Sequence, residues 1–91
     1  MHNEKYPNII MYSRSMCSDC VRSKAFLDKN KIPYKEINIL ENIEAQKYVI
    51  NINNGEARVP TIIINNEHNE IILSEPSDLE LSMAISKFID S

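Results

Sequence analysis

The feature that most constrains this chain is a change of hydrophobic period that occurs twice within its first 39 residues. Residues 8–12, NIIMY, form a short apolar run that suits a buried strand, and Pro7 stops anything before it. From 18 to about 31 the spacing turns helical, with Cys20, Ser23, Phe26 and Leu27 on one face and Arg22, Lys24, Asp28 and Lys29 on another. Val21 and Ala25 interrupt the polar side. Pro33 breaks this helix, and YKEINI at 34–39 sets Tyr34, Glu36 and Asn38 against Lys35, Ile37 and Ile39 as a second strand. A strand, a helix and a strand in this order imply parallel strands joined by a right-handed crossover.

The remainder completes the architecture. Residues 42–52 return to helical spacing, with Ile43, Tyr48 and Ile52 interleaved with Glu44, Gln46 and Lys47, and Asn53, Asn54 and Gly55 end it. VPTIIIN at 59–65 and EIILS at 70–74 are β-branched runs, and the polar NEHNE stretch between them predicts a hairpin turn. Ser77 and Glu80 stand at capping-box spacing ahead of Leu81, Ile85, Phe88 and Ile89, so a final helix runs to about 89. The order β-α-β-α-β-β-α predicts an α/β fold: a three-layer α/β/α sandwich around a four-stranded mixed sheet, with the hairpin as its antiparallel edge. No internal repeat or linker divides the 91 residues, which suit a single domain spanning 1–91.

Composition narrows the function. Apolar residues make up 43% and charged residues 25%, both near globular averages, which excludes a disordered or fibrous chain. The net charge of -3 argues against nucleic acid as a partner. That average hides a gradient: seven Lys or Arg face three acids in residues 1–35, and the remainder carries three basic and ten acidic residues. No apolar run approaches the roughly 18 to 20 residues of a membrane span, and the opening MHNEKYPN has no hydrophobic signal core. The expectation is a cytoplasmic, monomeric protein with no membrane partner.

The two cysteines, Cys17 and Cys20, lie in the basic third and are separated by two residues. One dithiol is neither a disulfide framework nor a four-thiolate zinc site. In a reducing compartment such a pair is catalytic, redox-sensing or metal-binding rather than a static bridge. A metal would need two further ligands; His2 in the terminal stretch and His68 in a turn have no partner at ligand spacing, so no metal is expected. Cys17 falls where the first strand passes into the first helix, at the positive end of the helix dipole, which favours thiolate over thiol, and Arg14 acts in the same direction. Cys20, one turn further on the inward face, is placed to attack a mixed disulfide formed on Cys17. Asp19 between them works against a thiolate at Cys17 unless backbone N–H groups satisfy its carboxylate.

With those residues in view, the chain resembles a glutaredoxin. MYSRSMCSDCVRSKAFLDKNKIPYKEINI at 11–39 is similar to that family's first strand, active-site loop, first helix and second strand; VPT at 59–61 resembles its valine and cis-proline segment, and LSEPSDLE at 73–80 the approach to its last helix. Within the family the likeness is greatest to mycoredoxin-type small glutaredoxins. The resemblance implies a thioredoxin-like fold and a thiol–disulfide oxidoreductase, with Cys17 as nucleophile, Cys20 as resolving cysteine and Pro60 as the cis-proline. It further implies that Val59 offers its backbone to a thiol peptide, and that Arg14 approaches a carboxylate of the thiol. Ser77 and Asp78 fall near the helix terminus that receives the thiol's far end, where Ser77 has two readings, N-cap and ligand contact. Arg58 could supply a second anion contact or be solvated. Tyr12 reads as a packing residue, and Met16 either flanks the sulfur on the docking surface or covers the core edge.

The departures from that pattern bear on substrate. Glutathione-binding members carry a Gly-Gly pair ahead of the last helix, where this chain has Glu75-Pro76, and an aromatic residue between the cysteines, where it has Ser18-Asp19. The expected substrates are protein disulfides or protein–thiol mixed disulfides, with a low-molecular-weight thiol (glutathione, mycothiol or similar) as reductant and no bound cofactor. One alternative is a redoxin that donates electrons to ribonucleotide reductase and is recharged by a thioredoxin-type reductase, although GEARVP lacks the Phe of that group's loop. An iron–sulfur or metal carrier is another, although the chain lacks the Gly-Phe-Ser pattern usual in such carriers.

Overall fold

The computed structural model describes residues 6–89; His2 lies outside them. Seven elements follow in the order β1 (Asn8–Ser13), α1 (Ser18–Lys29), β2 (Lys35–Asn38), α2 (Ile43–Ile52), β3 (Thr61–Asn65), β4 (Glu70–Ser74) and α3 (Asp78–Ile89). They build one four-stranded sheet ordered β2-β1-β3-β4. β1 pairs with β2 in parallel, while β1 with β3 and β3 with β4 are antiparallel.

Alternation along the strands divides the core in two. Ile9 and Met11 of β1 and Ile62 and Ile64 of β3 face a cluster that includes Leu27 of α1 and Leu81, Ala84 and Ile85 of α3. The other cluster gathers Ile39, Ala45 and Val49 with Val59 and Cys20, and Tyr12 and Ile37 pack against it. The central strand β3 is therefore covered on both sides and buries Thr61 through Ile64, whereas edge strand β4 alternates exposed and half-buried positions.

Several boundaries move from those the sequence predicts, each for a local reason. α1 stops at Lys29 rather than near 31, because Asn30 caps it and Lys31 turns to φ 56. β3 begins at Thr61, not Val59: Pro60 has no N–H to give a ladder, and its bond to Val59 is cis. On α2 the buried side chains are Ala45 and Val49, while Ile43 stays 60% exposed and Tyr48 38%. Close packing of a helix on a sheet favours the smaller Ala45 and Val49 at the contact over the larger apolar side chains the spacing singled out. At its C-terminus, Asn54 takes the left-handed position at φ 59, and Gly55 follows with its N–H donating to the Ile50 carbonyl at 2.8 Å.

Candidate active site

The loop between β1 and α1 turns through Met16 in the left-handed region, φ 62, and delivers Cys17 in an extended conformation as the N-cap of α1. Its sulfur performs the task a Ser or Asp oxygen usually performs, accepting the Cys20 N–H at 3.1 Å. On its other side the Cys17 thiol donates to the Val59 carbonyl at 3.8 Å. Cys17 is half-buried and Cys20 buried, and both are free thiols. Burial first, and then contact with the Cys17 sulfur, push the Cys20 thiol from its ordinary 9.0 up to about 12, with a backbone contact from Arg14 acting the other way. The couple is thus ordered as its spacing suggested, with Cys17 outward and Cys20 inward.

A cleft of about 640 Å³ is lined by both cysteines together with Arg14, Met16, Lys24 and Glu36. Lys24 pairs with Glu36 at 2.9 Å, and the hydroxyl of buried Ser13 donates to the same carboxylate at 2.8 Å. Those two contacts, the lysine's foremost, hold Glu36 below the ordinary carboxylate range, and the Glu36 carboxylate in turn raises Lys24 above its own. Met16 is fully exposed, so it covers no core edge and stands at the rim of the cleft. Tyr12 packs, as read, with its ring 5.5 Å from that of Tyr48, and burial raises its phenol.

Two side chains that local patterns had left as ordinary prove to organise the site. Arg22 joins the two helices that meet there: it pairs with Asp19 at 2.8 Å, donates to the Pro76 carbonyl at 3.0 Å and lies 3.9 Å from Asp78. The charge of Asp19 is therefore answered by Arg22. Asn53 anchors the Val59–Pro60 loop from behind. Its amide donates to the Val49 carbonyl at 2.8 Å and to Thr61 Oγ1 at 3.1 Å, and its oxygen accepts the Ser74 hydroxyl. Thr61 in turn donates to the Arg58 carbonyl at 2.7 Å.

The other residues expected to bind substrate lie in the Val59–Pro60 loop and at the approach to α3. Val59 is buried, and no backbone partner takes its N–H among the described residues. Pro60 accepts the Glu75 N–H at 2.8 Å, which ties the turn before α3 to this loop. Ser77 and Glu80 form the reciprocal capping box, with Glu80 N–H to Ser77 Oγ at 3.1 Å and Ser77 N–H to the Glu80 carboxylate at 2.8 Å. Arg58 is ion-paired, to Glu56 at 2.7 Å and Glu75 at 3.7 Å. Among the described residues no cluster of three His, Cys, Asp or Glu side chains could hold a metal, and no helix is long and apolar enough to cross a membrane.

A four-stranded mixed sheet between α2 and the α1/α3 pair, with a Cys-x-x-Cys at the head of α1 beside a cis-proline, defines a thioredoxin-like α/β protein with a dithiol site. The solution structure of glutaredoxin from Brucella melitensis shares that fold, with a TM-score of 0.64 at 17% identity over 94% of this chain and 89% of the other. The sequence model of the Glutaredoxin family matches residues 9–69. Glutaredoxin 1 of Rickettsia prowazekii (strain Madrid E) is 39% identical over 62 residues, 66% of this chain and 64% of that one. A putative glutaredoxin of Mycobacterium tuberculosis (strain H37Rv) is 37% identical over 54 residues, 59% of this chain and 64% of the other. The chain belongs to the glutaredoxin family. Its matches span 64% of the length of these two relatives.

Proposed function

We propose that the protein is a thiol–disulfide oxidoreductase acting on protein disulfides or protein–thiol mixed disulfides in a reducing compartment such as the cytoplasm. The observation that carries this reading is the placement of the Cys17 sulfur: half-buried, held by the Cys20 N–H, and in contact with the Val59 carbonyl. The N–H hydrogen bond strengthens as charge gathers on sulfur. Cys17 thiolate attacks one sulfur of the substrate, the substrate S–S bond breaks, and one substrate thiolate leaves while the other half stays on Cys17 as a mixed disulfide. Cys20 then attacks the Cys17 sulfur, giving its proton to solvent, and the second substrate thiolate leaves. Two electrons pass from the dithiol to the substrate, and a low-molecular-weight thiol returns them to the Cys17–Cys20 disulfide. Arg14, Val59, Pro60, Ser77 and Asp78 form the surface on which the substrate lies, its backbone pairing with that of Val59 in the manner of an added strand.

Single-turnover reduction of a glutathionylated protein tests the roles. Cys17→Ser is expected to abolish formation of the mixed disulfide, and Cys20→Ser to form it and accumulate it. Turnover by Cys17→Ser with loss in Cys20→Ser would reverse the assignment.

A further inference from the structure

Four basic side chains belong to the segments that build the site, Arg14 and Lys24 lining the cleft, Arg22 linking α1 to the approach to α3 and Arg58 preceding Val59, and three of them are already neutralised. Arg22 is held by Asp19 and Asp78, Lys24 by Glu36, and Arg58 by Glu56 and Glu75. Arg14 alone of the four has no ion pair among the described residues. The site is therefore lopsided. On the Arg14 side an anion finds a free guanidinium, whereas on the side of the Val59–Pro60 loop it meets Glu56, Glu75, Asp78 and Glu80 against the two engaged arginines.

Glu75 is the member of that group whose backbone is tied to the loop touching the Cys17 sulfur. Its N–H is bonded to the Pro60 carbonyl at 2.8 Å, and the neighbouring Val59 carbonyl touches Cys17 Sγ at 3.8 Å. Its backbone sits at φ 51, where glycine would be unstrained, yet the position carries a charged side chain turned toward Arg58.

We propose that Glu75, held by Arg58, is a specificity-determining residue that selects thiols carrying no carboxylate at the end lying over the turn before α3. The inference rests on the thiol–disulfide reading and names its substrate class: an uncharged or cationic group faces Glu75, and at most one anionic group is accepted, at Arg14. Cys17 exchanges with such a disulfide as described, one substrate thiolate leaving as the mixed disulfide forms.

The test compares second-order rate constants for oxidation of the reduced protein by glutathione disulfide and by its ethyl ester, which has the same skeleton with capped carboxylates. The ester is expected to react about threefold faster, the scale of one exposed charge contact. Capping also removes the carboxylate available to Arg14, which works against this preference. Glu75→Gln is expected to bring the ratio to parity or below, because it removes a carboxylate and frees Arg58 from one partner; Arg58→Thr is expected to widen it. Faster reaction with the free acid in the unmodified protein, or a ratio unmoved by Glu75→Gln, overturns the proposal while leaving the oxidoreductase reading intact. No reaction with either disulfide also overturns the proposal, while the oxidoreductase reading is then decided by the glutathionylated-protein assay with Cys17→Ser and Cys20→Ser.

Discussion

The first turns of α1 and α3 lie side by side, bridged by Arg22, and both must satisfy backbone N–H groups that have no partner within the helix. Each is reached through a left-handed residue, Met16 at φ 62 before α1 and Glu75 at φ 51 before α3. There the likeness ends. At α3 a hydroxyl and a carboxylate cap each other's N–H groups in a closed box. At α1 a sulfur takes the N–H, a weaker acceptor than oxygen and one whose bond improves only when it carries charge. One terminus is finished as structure; in the function proposed above, the other keeps its capping atom available for chemistry. The difference teaches that capping and reactivity draw on the same unpaired amides, and that the choice of atom decides which one results.

The sharpest way to break that contrast is to put oxygen at the reactive terminus. Cys17→Ser is expected to lower disulfide-reduction turnover by about 10³-fold or more, while the midpoint of urea unfolding holds or rises, since serine is a better N-cap than cysteine. A clear fall in that midpoint would show that the sulfur is a structural cap after all. The next effect in size concerns the inward thiol. Burial keeps Cys20 protonated in the folded protein up to about 12, whereas the unfolded chain releases that proton near 9. The folded state therefore binds more protons across this window. Stability of the reduced protein is fully present below pH 9 and is lost toward pH 12, with a limiting slope of about 1.4 kcal/mol per pH unit from this group. Comparing unfolding free energies of the reduced protein and Cys20→Ala between pH 8 and 10.5, within the range the shift defines, isolates it: the variant's curve is expected to be flatter.

Much of this arrangement is legible in the chain, because much of it is local. The β-α-β-α-β-β-α order follows from period alone, and the capping box at Ser77 and Glu80 from a four-residue spacing. The inward direction of Cys20 follows from its place one turn beyond Cys17. What escaped is what arises between distant segments. Arg22 finds the Pro76 carbonyl 54 positions away, and nothing in the helical pattern of 18–31 marks it from its neighbours. Asn53 looked like a helix stop, and it is one, but its amide also reaches Thr61 and Ser74. Apolar spacing also misjudged α2, because hydrophobicity ranks Ile43 and Tyr48 above Ala45, whereas the distance between helix and sheet ranks them below it.

At the finished terminus the expected effect is smaller and falls on stability. Ser77→Ala removes the acceptor of the Glu80 N–H and is expected to cost about 1 kcal/mol, the usual value of an N-cap oxygen. Urea unfolding at unchanged slope measures it. A loss well below that value would mean that Glu80 alone closes the box, and the two termini would then differ less than their atoms suggest.

The smallest effect separates the two left-handed entries from their caps. Glu75 holds φ 51 with a Cβ, a conformation that costs an L-residue about 1 kcal/mol or somewhat more. Glycine removes that cost but gains freedom in the unfolded chain and gives up the ion pair to Arg58, each worth about 0.5 kcal/mol at an exposed site. Glu75→Gly is therefore expected to be within about 0.5 kcal/mol of the parent, on the stabilising side. Glu75→Ala, which keeps the Cβ and loses the ion pair, is expected to be less stable than Glu75→Gly by about 0.5 to 1 kcal/mol. The pair of variants isolates the backbone cost from the charge. Equal stability of the two would mean that the turn into α3 relaxes when Arg58 is released, so that the ion pair, rather than the Pro60 hydrogen bond, holds Glu75 in its left-handed conformation.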